Sequence, residues 1–475
     1  MAQTLTIDPV TRIEGHSKIT IRLDDAGNVD VARLHITQFR GFEKFVEGRP
    51  FHEMPALTAR TCGICPISHL LASAKACDDL MAVRIPPAAA SLRRVINYAQ
   101  IVQSHALSFF HLSSPDLLLG LDADPASRNI LGVAAKFPEL AADGIWLRKF
   151  GQQIIERLSG KRIHPAWVVP GGVSQPLAAE VRDAIVAELP QAIAIARKTL
   201  DWFKPVIGRF REEIDTFANF PSLFLGLVSP DGTIEHHDGA MRVVDAQRRI
   251  VVDQLGAHAY PDYIGEAVEP DSYLKSPYYM PLGYPAGLYR VGPLARLNVC
   301  ERMGTPLAEQ ELAEFRALQP GGAVLGSFHF HHARLVEILH SLERLGELLA
   351  QPEILDTHVR AFAEPNNREG IGISEAPRGT LIHHYKIDDN GLITWANLII
   401  ATGHNNLAMN AGITQAARHF VKGERIAEGA LNRVEAVIRC YDPCLSCSTH
   451  ALGQMLLRIE LTDPSGKLLD ACERG

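Results

Sequence analysis

The sequence predicts a mainly α protein with small β hairpins, built around a long-helix bundle. Three observations carry that expectation. Apolar residues recur at helical spacing through long stretches of the chain. Short alternating runs flank Asp/Asn/Gly turns near both ends. No Gly/Ser linker, charge block, low-complexity tract or repeat divides the 475 residues. Single cores usually stop growing near roughly 250–300 residues, yet no boundary suggests itself, so one interwoven domain over residues 1–450 is expected.

The elements follow in order. Lys18–Leu23 alternates, Asp24–Asn28 is a turn, and Val29–Thr37 alternates again, which reads as a hairpin. From Ser91 to about His111, Leu92, Val95, Ile96, Ala99, Val102, Ala106, Phe109 and Phe110 mark a helix. Ala178–Phe217 is helical in pattern, with Pro190 and Pro205 predicting helix ends or kinks. His331–Leu349 carries a broad stripe from Leu335 to Leu349. Leu381–Ile387 and Leu392–Ile400, around Asp389-Asn390-Gly391, form a second hairpin signal. The expected architecture is a bundle with β embellishments at both ends.

Composition narrows the function. There are 47 Lys+Arg against 54 Asp+Glu, a net charge of -7, and no basic tract, so a nucleic-acid partner is not expected. No apolar run approaches the roughly 18 residues of a spanning helix, and the N-terminal residues have neither the basic start nor the apolar stretch of a signal peptide. A cytoplasmic location is the expectation. Eight cysteines are too few and too unevenly spaced for a disulfide framework.

Four of those cysteines carry the chemistry. Cys62-Gly-Ile-Cys65 lies near the start and Cys444-Leu-Ser-Cys447 near the finish. Either pair alone is a weak signal, shared by redox pairs, zinc half-sites and chance. Together they suggest one tetrathiolate site closed by the N- and C-terminal segments, for zinc, nickel or iron rather than calcium or magnesium. A structural zinc site is the plain alternative, although its pairs usually lie only roughly 15–20 residues apart. Pro66 suits the first turn of a helix through Ala76, which places Cys65 at a helix N-terminus where the dipole favours thiolate. His69, four residues on, is placed to hydrogen-bond that sulfur, or else is a packed surface histidine.

These residues resemble a known family. Arg60-Thr-Cys-Gly-Ile-Cys65 with His69, and Asp442-Pro-Cys-Leu-Ser-Cys-Ser-Thr-His450, look like the paired signature of the nickel–iron hydrogenase large subunit. Arg12-Ile-Glu-Gly-His16, Arg40-Gly-Phe-Glu43, His164-Pro, Pro170-Gly-Gly172 and Glu375-Ala-Pro-Arg-Gly379 fall in the family's order. The resemblance runs from about residue 7 to the C-terminus.

The resemblance implies that Cys62, Cys65, Cys444 and Cys447 ligate nickel, that Cys65 and Cys447 also bridge to iron, and that the iron carries cyanide and carbon monoxide. Hydrogen is then split heterolytically, with Cys444 the first proton acceptor and Glu14 the carboxylate that relays the proton outward. From its loop alone Glu14 reads as a solvated residue. Arg378 resembles the family's arginine over the open metal position, with Asp116 and Asp442 expected to orient it, a helix-terminal role being the other reading of Asp116. A magnesium-type site is implied at Glu43, His450 and the carbonyl of Leu398; the plain reading of Glu43 is a salt bridge to Lys44 or Arg40.

The remaining cysteines, Cys77, Cys300, Cys440 and Cys472, are isolated and form no ferredoxin-like run. Iron–sulfur clusters are therefore expected on a hydrogenase small subunit. Within the family the chain looks most like cytoplasmic, bidirectional enzymes coupled to NAD. Nicotinamide binding would then reside on diaphorase subunits, since no Gly-x-Gly-x-x-Gly follows a strand here. Deazaflavin- or heterodisulfide-linked hydrogenases are the first alternative; a complex I quinone-site homologue lacks the four cysteines. Family precursors are trimmed after the histidine of the second pair, so Ala451–Gly475 reads as a maturation extension. A maturation endopeptidase and nickel-insertion factors would act on it, and the tail is expected to hold the Cys444–His450 segment open until nickel arrives. The plain reading of the tail, with its Leu456–Leu461 and Leu468–Leu469 hairpin signal, is an integral β element.

Overall fold

The computed structural model describes residues 4–422 and 427–449, together with the backbone of two later strands, Leu457–Thr462 and Leu468–Arg474. The chain opens with an antiparallel sheet of β1 (Thr4–Ile7), β2 (Ser17–Leu23) and β3 (Val29–Ile36), in that spatial order. Ile19, Ile21 and Leu23 point one way and are buried, which is what their alternation demands. The turn is held by the Asp24 carboxylate, which accepts the N–H groups of Ala26 and Asn28.

Among the described residues, seven long helices build the bundle: α1 (Pro66–Met81), α2 (Pro87–Leu107), α3 (Pro138–Ser159), α4 (Ala179–Ile207), α5 (Phe330–Ala350), α6 (Asn406–Phe420) and α7 (Glu428–Tyr441). Helix α2 packs between α3 and α5, and α5 packs in turn on α4. Both α2 and α5 are buried on nearly every face, so their sequences read as broad apolar stripes rather than narrow seams. After Leu107 the α2 path widens into π-helical turns over Ser108–Ser113 and Pro115–Leu119.

Two expectations need correction. Helix α4 continues past Pro190 and Pro205 and ends at neither, so the expected helix ends are not there. An interior proline costs about 3 kcal/mol; here the burial of Ile185, Leu189, Ala196, Leu200 and Phe203 on one face offsets it. The β structure is also not confined to the chain ends. A mid-chain sheet of β4 (Leu223–Val228), β5 (Ala240–Val244), β6 (Ile250–Leu255) and β7 (Tyr289–Arg290) has the order β7-β4-β5-β6. Strand β4 is buried at every position and so shows no alternation to read.

A third sheet positions the site. It contains β8 (Glu369–Ala376), β9 (Gly379–Ile387) and β10 (Ile393–Ile399) in sequential antiparallel order. Strand β8 lies directly on α1. A Cβ at Gly372 would fall 1.9 Å from the Ala72 carbonyl oxygen, so only glycine permits the approach. Ala376 pairs with Gly379, which leaves Pro377-Arg378 as the two-residue turn. The two strands after residue 450 pair with each other antiparallel, Leu457 opposite Arg474. Among the described residues, no helix is long and apolar enough to cross a membrane.

Candidate metal centre

Cys62 follows a single 3-10 turn, and Cys65 caps α1 with Pro66 in the first turn, as the sequence predicts. The N–H groups of Ile64 and Cys65 donate to the Cys62 sulfur at 3.2 and 3.1 Å. The second pair arrives by a different device. Helix α7 ends at Tyr441, and Asp442, at φ 53°, turns the chain back into the interior. The loop beyond is pinned from three sides. The Cys444 N–H donates to Thr402 Oγ1 at 2.9 Å, the Leu445 N–H to the Glu14 carbonyl at 3.2 Å, and the Arg40 and Gly41 N–H groups to the Thr449 carbonyl.

These anchors bring the Cys62, Cys65, Cys444 and Cys447 sulfurs within 4.8 Å of one another, all buried. Metal–thiolate bonds of about 2.3 Å place sulfurs roughly 4 Å apart around a single ion, so the set fits one metal. None of the four is joined in a disulfide. Contacts to Glu14, Arg40 and Gly41 hold the Cys444–Thr449 segment against the N-terminal half, and Thr402 anchors it from the C-terminal half.

The electrostatics differ across the cage. Hydrogen bonds from Cys444, Cys447 and Cys62 hold Cys65 well below the usual thiol value, with His69 adding to the effect, whereas burial pushes Cys444 and Cys447 well above it. His69 is fully buried rather than on the surface, and its Nδ1 lies 3.2 Å from His383 Nε2. Burial pulls the Arg378 guanidinium down, but the Asp442 carboxylate and the thiols of Cys444, Cys65 and Cys62 outweigh it and keep Arg378 charged.

Arg378 sits at the tip of the β8–β9 turn. Its Nη2 lies 3.0 Å from Asp442 Oδ2, its Nε donates to the Asp442 carbonyl, and its Nη1 donates to Ser104 Oγ at 3.2 Å. Asp442 thus occupies the orienting place expected of it. Asp116 does not, and that assignment is corrected. Its carboxylate pairs with Arg12 at 2.6 Å and Arg439 at 3.0 Å, where those guanidiniums outweigh burial and lower its pKa. Asp116 holds the Arg12–Glu14 segment instead. Glu14 is half-buried, and its Oε2 accepts the Ser446 N–H at 3.1 Å.

Glu43 turns inward. Lys44 pairs with Glu47 rather than Glu43, while Glu43 Oε1 accepts the Leu398 N–H at 2.8 Å. Burial pushes the Glu43 carboxyl up to about 7. Lys275 lies 3.6 Å from Glu43 and 3.5 Å from Glu266, so two carboxylates share one ammonium. His450 lies outside the described residues. Sequence reasoning missed Thr402, Ser104, His383 and Lys275, because each acts through a single contact and belongs to no spaced motif.

Residues 40–136 and 247–450 match the family described as nickel-dependent hydrogenase, and residues 4–39 match one described as HoxL-like. The chain belongs to the nickel-dependent hydrogenase family. It is 43% identical to the β subunit of the NAD-reducing hydrogenase HoxS of Cupriavidus necator over 99% of both chains. It is also 43% identical to one chain of the F420-non-reducing hydrogenase vhc of Methanococcus voltae, over 95% of both. A crystal structure of an NAD+-reducing [NiFe]-hydrogenase in the H2-reduced state superimposes with a TM-score of 0.92 at 44% identity, covering 94% of this chain and 99% of that one. The fold extends to the Ni-Fe-Se hydrogenase of D. vulgaris Hildenborough, with a TM-score of 0.77 at 24% identity over 95% of this chain and all of that one.

Proposed function

We propose that this chain is the hydrogen-splitting component of a cytoplasmic, NAD-coupled nickel–iron hydrogenase. Cys62, Cys65, Cys444 and Cys447 would hold the nickel, and Cys65 and Cys447 would also hold the iron. The observation that carries this is the convergence of the four sulfurs within 4.8 Å beside Glu14 and Arg378. Bound there, a nickel–iron centre, its iron carrying cyanide and carbon monoxide, would supply the redox-flexible metals that hydrogen splitting needs.

The protein residues do the proton work. The Cys444 sulfur would take the proton. Glu14 is anchored on the neighbouring Ser446 N–H and carries the proton toward solvent. Arg378, held by Asp442, keeps a fixed positive fork against the thiols. His69 supports the charge on Cys65, and Asp116 anchors the Glu14 segment through Arg12. Glu43, the Leu398 carbonyl and His450 would hold a magnesium-type ion, and the inward-turned Glu43 carboxyl, 2.8 Å from the Leu398 N–H, supports that reading.

Electrons leave through the iron–sulfur clusters of a small subunit, reaching NAD on diaphorase subunits, a reading supported by the end-to-end likeness to the HoxS β subunit. Residues 1–450 form one domain, and Ala451–Gly475 is a maturation extension removed by an endopeptidase after nickel-insertion factors have acted. The match to the nickel-dependent hydrogenase family stops at residue 450, where that cut is placed. Assay of the purified multisubunit complex tests the coupling. Hydrogen-dependent reduction of NAD is expected; reduction of a deazaflavin or a heterodisulfide without NAD would transfer the chain to the alternative group.

A further inference from the structure

Beneath the Arg378 turn lies a buried ion network that the proposed proton chemistry does not use. Arg296, on the short helix Pro293–Val299, is fully buried. Its Nε and Nη2 each lie 2.6 Å from one oxygen of Glu337, and its Nη1 lies 2.6 Å from Glu375 Oε2. The remaining hydrogen bonds of the same fork go to backbone. Nη1 donates to the Ala376 carbonyl at 3.0 Å and Nη2 to the Pro377 carbonyl at 3.2 Å. Those are the two residues immediately before Arg378.

A second contact seats the same turn from below. Gly292, at φ 96°, lies so close that a Cβ there would stand 2.7 Å from the Arg378 carbonyl oxygen. Gly379, at φ 135°, would place a Cβ 2.3 Å from a Val291 methyl. At Gly292 the two backbones lie directly on one another. The network also reaches the side chain of Arg378 from the opposite direction. Glu337 Oε2 lies 2.8 Å from His105 Nε2, and His105 adjoins Ser104, whose Oγ accepts Arg378 Nη1.

A buried ion network is weak as a source of net stability, since desolvation offsets most of its attraction. What this one does supply is geometry, because Arg296 fixes the carbonyls that precede Arg378 and Glu337 fixes Arg296. We propose that Arg296 is a positioning residue for Arg378, with Gly292 and Glu337 completing a cradle that sets where the Arg378 guanidinium stands over the thiols. This rests on the reading of Arg378 given above.

The test is a double-mutant cycle in the assembled enzyme, reading hydrogen-oxidation turnover, KM for hydrogen and bound nickel. Arg296→Lys keeps a charge but loses the fork. Displacing Arg378 by about an ångström should lower turnover on the order of a hundredfold with nickel retained. In the Arg378→Lys background the same change should have no further effect, because there is no fork left to place. Should Arg296→Lys fail to retain nickel, Glu337→Gln loosens the fork more gently and carries the same cycle. Wild-type turnover in either variant, or losses that multiply in the double variant, would overturn the cradle alone. A fully active Arg378→Lys enzyme would overturn the role of Arg378 itself, and the cradle with it.

Discussion

The sulfurs of Cys62 and Cys444 lie 3.2 Å apart although 382 positions separate them in the chain. That closure depends on Glu14, whose carbonyl and carboxylate accept the Leu445 and Ser446 N–H groups, and on Thr402, which accepts the Cys444 N–H. The metal cage is therefore a product of the whole fold, with one half delivered by a helix N-terminus and the other by the loop after α7.

Each of Cys62→Ser, Cys65→Ser, Cys444→Ser and Cys447→Ser should abolish hydrogen oxidation and lower bound nickel. Even outer partners of metal sites matter about 10–100-fold, so loss of a direct ligand should exceed that. Full activity in any one variant, measured on purified enzyme alongside its nickel content, contradicts the tetrathiolate assignment.

Glu14→Gln preserves size and the ability to accept the Ser446 N–H, but removes the titratable group. Hydrogen–deuterium exchange should fall by about 10²–10⁴-fold, the usual range for a lost proton-transfer group, while nickel and iron stay near wild-type levels. Exchange at the wild-type rate would remove Glu14 from the relay.

Stability should fall on acidification. Burial lowers His105 and His329 to about 4 and His331, His332 and His404 to about 3, against 6.5 for a free imidazole. Between those values the unfolded chain binds more protons than the folded one. The neutral histidines are therefore no burden above pH 6.5, and each removes up to about 1.4 kcal/mol per pH unit below it. The unfolding midpoint should drop between pH 7 and pH 5, and His332→Gln should flatten the slope by about one proton. A midpoint independent of pH across that window contradicts the neutral-histidine core.

How much of this was legible in the sequence varies by element. The Cys62/Cys65 and Cys444/Cys447 pairs, the β2–β3 hairpin and the cap at Cys65 were readable because spacing and alternation encode them directly. Strand β4 was not, because burial on both faces erases its period. The prolines of α4 misled because tertiary packing, invisible locally, outweighs them. Asp116 was misassigned for a related reason. It lies within a π-helical turn, and only the fold reveals that Arg12 and Arg439 meet it there.

Intact-mass measurement addresses the tail. Active enzyme should contain a chain ending at His450, and nickel-starved cells should accumulate the form that runs through Gly475. The cut is expected to follow metal insertion. Active enzyme that still carries Gly475 would make the hairpin of Leu457–Thr462 and Leu468–Arg474 an integral part of the fold.

Whether the four cysteines of this chain hold nickel and iron together is decided by elemental analysis of the purified, catalytically active complex. About one nickel per chain is expected, with iron in excess of what the partner's clusters require and no stoichiometric zinc. The nickel should be lost in Cys444→Ser. One equivalent of zinc without nickel, in enzyme whose activity is unaltered by nickel starvation of the cells, would contradict the assignment and return the site to a structural tetrathiolate.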